Sequence, residues 1–83
     1  MNGFEWLEDL IKKDIPDAHV EVNDLTGTRD HLDIMVVSDV FKGKLLIDQH
    51  QILMDILKEE LKSRIHAVKL KTLTVEKYNQ IKG

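Results

Sequence analysis

The chain has 83 residues, 42% of them hydrophobic and 33% charged, with a formal net charge of −3. That length makes one domain, residues 1–83, and leaves no room for two. There is no cysteine, which excludes disulfides, thiolate zinc sites, thiol catalysis and an all-thiolate iron–sulfur site.

The first helix is expected over residues 3–14. Asn2 is placed to cap it, with Glu5 three positions later as in a capping box. Phe4, Leu7, Leu10 and Ile11 form its apolar stripe, and Pro16 ends it. Glu5, Glu8 and Asp9 interrupt the same stretch, so it does not read as a signal peptide. No run approaches the about 18 apolar residues of a membrane span. A reducing compartment suits such a chain, and the cytoplasm is the expected location.

"AHVEVN" (18–23) alternates like a strand, with Val20 and Val22 on one face. "DLTGTRD" (24–30) reads as a loop around Gly27. "HLDIMVVS" (31–38) is the second strand, with Leu32, Ile34 and Val36 sharing a face, and the two strands read as a hairpin. "DVFKGK" (39–44) is irregular, and Gly43 marks a turn that a side chain would hinder. A longer helix is expected over 46–62. Leu46, His50, Leu53, Leu57 and Leu61 form its stripe, broadened by Met54 and Ile56. The third strand covers 66–72, with Val68 and Leu70 on one face and Lys69 and Lys71 on the other. Thr74 is placed to cap a last helix through Ile81. The order α-β-β-α-β-α describes an α+β sandwich, a three-stranded sheet with helices packed on one face.

Charge is distributed unevenly. Residues 1–57 hold 5 basic and 12 acidic side chains, a net −7, whereas residues 58–83 hold 7 and 3, a net +4. The basic end could attract phosphates or an acidic partner, or be an ordinary solvated face. Enzymatic chemistry has little support. Gly27 and Gly43 are isolated, without phosphate-loop spacing. No carboxylate pair is placed in an evident cleft, and no Ser-His-Asp order stands out. The aromatic residues Phe4, Trp6, Phe41 and Tyr78 are too few for base stacking. A non-enzyme is expected.

The four histidines need separate readings. His66 falls on the apolar face at the mouth of the third strand, as either a buried, hydrogen-bonded side chain or a ligand. His31, at a loop-to-strand junction, is either solvated or a ligand. It lies 35 positions from His66, so only the sheet could bring the two together. His50, on the stripe of the long helix, reads as partly buried and structural. His19, on the polar face of the first strand, reads as solvated.

"VFKGKLLIDQHQILMDIL" (40–57) followed by "IHAVKLKTLTVEKY" (65–78) resembles the BolA-like proteins. Their pattern is Phe-x-Gly, a helix with a central histidine, Ile-His-Ala leading a strand, and a Thr-x-Glu helix start. The resemblance covers essentially the whole chain and implies a class II KH-like fold. It also implies a role beside monothiol glutaredoxins, sharing a glutathione-containing [2Fe–2S] cluster in iron–sulfur trafficking, assembly or iron regulation. Other members are linked to transcriptional control, morphology and stress response through proposed DNA binding. The family's C-terminal histidine ligand maps onto His66, and its second ligand, in the loop before strand two, maps onto His31. Two departures are Gln49-His50-Gln51, where the family often has Arg-His-Arg, and Val75, where a proline commonly follows the threonine. The first weakens a nucleic-acid role.

On that resemblance, two imidazoles supply only part of a cluster's ligand set, so the thiolates must come from a partner. Histidine ligation on one iron raises the reduction potential, as in Rieske centres. Imidazole must be neutral to bind, so such a site should weaken below roughly pH 6. No cofactor is expected on the isolated chain, which should be a monomer without membrane contact. The alternative is a nucleic-acid-binding regulator using Lys62, Arg64, Lys69 and Lys71. Against it, the chain lacks the Gly-x-x-Gly loop of KH domains, since Gly43 is followed by Lys44-Leu45-Leu46, and its net charge disfavours phosphate. A third reading is a partner-binding module that takes no metal and whose histidines are structural.

Overall fold

The computed structural model describes residues 4–27, 31–63, 65 and 67–82. The elements are α1 (Glu5–Asp14), β1 (His19–Asp24), β2 (His31–Val37), a 3-10 turn (Asp39–Phe41), α2 (Leu46–Ser63), β3 (Ala67–Leu73) and α3 (Val75–Lys82). This is the expected α-β-β-α-β-α order. The sheet runs β1-β2-β3, with β1 antiparallel and β3 parallel to β2.

In α1, Leu7 and Ile11 lie one turn apart and are fully buried. Glu5 and Glu8 near its start and Lys12 and Lys13 near its end complement the helix dipole. The helix begins two residues later than expected. The carbonyl of Phe4 accepts the first helical bonds, from Leu7 and Glu8 at 3.0 and 3.2 Å. Phe4 holds the N-cap position without a side-chain cap bond, and its ring is buried in the core. Asn2, the expected cap, lies outside the described residues. At the other end, Pro16 has no amide hydrogen to donate and turns Ile15 out of helical geometry (φ −127°, ψ 81°).

Alternation along the strands follows the sequence pattern. Val20 and Val22 of β1 and Leu32, Ile34 and Val36 of β2 face the core. On the same face of β3, Val68 and Leu70 are only half-buried. Leu53 and Leu57 of α2 complete the core, with Ile52, Ile56 and Leu61 packed against them. The expected stripe of α2 is wrong at two places. Leu46 is 61% exposed because it opens the helix at the rim of the sheet, and Met54 is 38% exposed because it points away from the sheet.

Polar bonds join the connections. Ser38, fully buried, donates to Asp17 Oδ1 at 2.7 Å and accepts from the Val40 amide at 3.1 Å, while its own amide reaches the Leu73 carbonyl. Gln49 of α2 donates through Nε2 to the carbonyls of Phe41 (3.2 Å) and Lys44 (2.9 Å), and its Oε1 accepts from Thr72 Oγ1 at 2.6 Å. One amide thus holds the Gly43 turn (φ 75°) against β3. Thr74 caps α3 as expected, its Oγ1 accepting from the Lys77 amide at 3.2 Å.

The layer of helices on one face is made by α1 and α2. The last helix also reaches the opposite face through Tyr78, whose hydroxyl donates to Glu21 Oε2 at 3.0 Å. The expected solvation of His19 is only half the story. Its side chain is 52% exposed, yet Nε2 lies 2.8 Å from Glu21 Oε2 and its ring centroid 5.2 Å from that of Tyr78. Val37, whose register partners are His19 and Leu73, is buried at that end of the face. The bonds from His19 and Tyr78 hold the Glu21 carboxyl below its ordinary value of 4.5.

Two outcomes follow from this packing. Leu57→Ala should cost about 2–5 kcal/mol in urea denaturation, and a loss below about 0.5 kcal/mol would mean the side chain is not in the core. The depressed Glu21 carboxyl lends stability that is complete at neutral pH and disappears as pH falls through its folded value. Thermal melts from neutral to acid pH should therefore fall less steeply for Glu21→Gln than for the wild type.

Candidate metal-binding end of the sheet

Because β2 and β3 run parallel, both strands begin at the same end of the sheet. His31 is the first residue of β2, half-buried, and its register partner is Ala67, the first residue of β3. Paired strands are separated by about 4.8 Å, so His31 stands one strand spacing from the residue that follows His66 in the chain. His66 itself, together with Arg64 and Asp30, lies outside the described residues.

The backbone around this end is well specified. Asp24 Oδ1 accepts from the amides of Thr26 (3.3 Å) and Gly27 (2.9 Å), closing an Asx turn that enters the loop at Gly27, φ 78°. The Leu25 amide donates to the His31 carbonyl at 2.9 Å. On the β3 side, Ile65 is 1% exposed, and its amide donates to the Glu60 carbonyl at 2.9 Å. A buried isoleucine thus pins the connection between α2 and β3, within the Ile-His-Ala stretch. Among the described residues, no three His, Cys, Asp or Glu side chains gather to hold a metal ion.

His50 belongs to the other end. Its neighbour Gln49 bonds Thr72, five residues along β3 from Ala67, roughly 16 Å at strand rise. It is half-buried in α2, matching the expected partial burial. His19 sits on β1 opposite Val37, at the end of β2 far from His31. Neither can serve as a co-ligand of His31.

The lysines of the alternative reading are dispersed. Lys69 and Lys71 are exposed, on the face shared with their partners Asp33 and Met35. Lys62 lies 3.8 Å from Glu59, both side chains largely exposed. Acidic neighbours therefore interleave the basic residues, which lowers the local potential a phosphate backbone would meet.

The two halves of the sequence motif meet at the far end of β3. There the Phe41–Gly43 turn, Gln49 and the Thr74–Glu76 start of α3 line one groove. The spacing of these stretches in the chain gave no sign of it, because the contact depends on the α2 crossover.

The comparisons with known proteins agree with this architecture. The BolA-like protein family model matches residues 7–77. BolA-like protein 2 of Mus musculus is 37% identical over 78 residues, covering 92% of this chain and 90% of that protein. The DNA-binding transcriptional regulator BolA of Escherichia coli is 29% identical over 65 residues, covering 78% and 62%. The solved BolA domain of SufE1 from Arabidopsis thaliana superposes with a TM-score of 0.77 at 28% identity, covering 87% of this chain and 91% of that one. With the Phe-x-Gly, Ile-His-Ala and Thr-x-Glu stretches in one α-β-β-α-β-α frame, this chain belongs to the BolA-like protein family.

Proposed function

We propose that this protein is a non-enzymatic, cytoplasmic adaptor that pairs with a monothiol glutaredoxin and shares a glutathione-containing [2Fe–2S] cluster through His31 and His66. The observation that carries the reading is the parallel register. It sets His31 opposite Ala67, so the two histidine-bearing stretches start side by side although they are 35 residues apart in sequence. Family membership and the BolA domain of SufE1 among its structural relatives support an iron–sulfur role.

The donor set fits a shared cluster. Imidazole suits iron, and a chain without cysteine has no thiolate to give. The cluster, when bound between the partners, supplies the redox and transfer chemistry. His31 contributes a nitrogen held by the start of β2, and His66 contributes one from a chain anchored by buried Ile65. His31 is half-buried and precedes core-facing Leu32 in β2, so it lies on the face of the sheet away from the core and its ligation does not compete with folding.

The test is anaerobic co-purification with a monothiol glutaredoxin and glutathione, followed by visible absorption and circular dichroism. His66→Ala should abolish or greatly alter the cluster spectrum while leaving the melting temperature of the isolated protein near wild type. His31→Ala should do the same, less completely. His50→Ala should spare the spectrum and lower stability. A His66→Ala complex with an unaltered cluster spectrum would show that His66 is structural.

The second reading, a nucleic-acid-binding regulator, is favoured by the name of the Escherichia coli relative. It would use Lys62, Arg64, Lys69 and Lys71. The interleaved acids and the net charge predict weak binding that collapses with salt and drops when Lys69 and Lys71 become Glu. Tight, sequence-selective binding to duplex DNA at about 150 mM salt would reverse the ranking of the two readings.

A further inference from the structure

We propose that the groove at the C-terminal end of β3 is a docking site for an acidic, leucine-bearing segment of a partner protein, at the opposite end of the sheet from His31. The groove has a volume of about 560 Å³ and lies between the Phe41–Lys44 turn, the first turn of α2 and the start of α3. It does not depend on the cluster reading.

Two observations point to its occupant. The first is apolar exposure. Leu45, Leu46 and Ile47 are consecutive and 71%, 61% and 74% exposed, and Leu46 lines the groove. Three adjacent exposed aliphatic side chains contribute nothing to this chain's own core, and such runs mark surfaces that a partner covers. The second is charge. Lys42, Lys44 and Lys77 line the groove with Glu76 as the only acid among its lining residues. Among the described residues, none of these lysines has an ion-pair partner. Leu46 in the lining, Leu45 and Ile47 beside it and the lysine rim together match a segment that alternates leucine-type and carboxylate side chains.

The groove is also preformed. Gln49 ties the turn at both Phe41 and Lys44, so little ordering cost is left for binding. At the start of α3 the Val75 amide donates to Asp39 at 3.3 Å and the Lys77 amide to Thr74 at 3.2 Å. Two amides of that helix end are thus occupied, and the lysine rim carries the attraction for carboxylates.

Other occupants fit less well. A nucleic-acid backbone would leave Leu45 to Ile47 uncovered, and residues 1–57 carry a net −7 that repels it. A second copy of this chain could offer acidic α1, but its Leu7 and Ile11 are fully buried in its own core, and only the half-buried Trp6 and Leu10 remain to cover three exposed aliphatic side chains.

Isotope-labelled full-length protein titrated with a synthetic peptide alternating glutamate and leucine tests the proposal, with a lysine–leucine peptide as control. The acidic peptide should shift amide resonances of residues 42–47 and 72–77 and leave His31 and Leu32 unmoved. The K42E/K44E/K77E variant should bind it about tenfold more weakly or worse with an unchanged thermal melt, and L45S/I47S should also weaken it. No shifts in the groove, equal shifts with the lysine peptide, or undiminished binding by the charge-reversed variant would overturn the proposal. So would stronger perturbation of the same amides by an oligonucleotide, or by raising the protein concentration alone.

Discussion

The parallel pairing of β2 with β3 is the constraint on which the rest of the molecule depends. Parallel neighbours cannot be joined by a tight turn; the chain must travel back the full length of the strand before it can pair again. Here α2 makes that return, and in doing so lays Leu53 and Leu57 over Leu32, Ile34 and Val36 of the central strand. One choice of strand direction therefore creates the core, brings the starts of β2 and β3 to one end, and brings the start of α2 beside the finish of β3 at the other.

The two ends are held differently. At the His31 end, the fixing elements are an Asx turn, in which the Asp24 carboxylate accepts from backbone amides, and one buried aliphatic side chain, Ile65. At the far end they are side-chain amide and hydroxyl bonds, with Gln49 serving three partners and Ser38 bridging Asp17 to Val40. Buried polar groups are costly unless satisfied, and among the described residues no buried side-chain nitrogen or oxygen is left without a partner. Gln49 meets that demand at three partners at once. A glutamine can accept from Thr72 while donating to two carbonyls, and a guanidinium has no acceptor to offer.

The third helix is attached more lightly than the others. None of its residues is fully buried. Its hold on the sheet is the Thr74 cap, the Asp39 bond to Val75, and Tyr78 reaching Glu21 beside His19. Exposed bonds of this kind contribute modestly and respond to pH and salt. The helix is thus held at its first turn and at Tyr78, outside the core.

Much of the fold was legible because hydrophobic period reports which residues share a face. The alternation of Val20 with Val22 and of Leu32, Ile34 and Val36, the break at Pro16, the turn at Gly43 and the cap at Thr74 are local facts, and each depends on a few neighbouring residues. The absence of cysteine likewise settles that any thiolate must come from elsewhere. Period does not report what lies over a face. Leu46 and Met54 fit a helical stripe and are nonetheless exposed, because the sheet ends before one and faces away from the other. The pairing of His31 with Ala67, the reach of Tyr78 to Glu21, and the groove that joins Phe41, Gln49 and Thr74 all unite residues far apart in the chain. Only the tertiary structure decides these, because strand direction and register are set by the competition of whole faces for burial, and no short stretch of sequence encodes it.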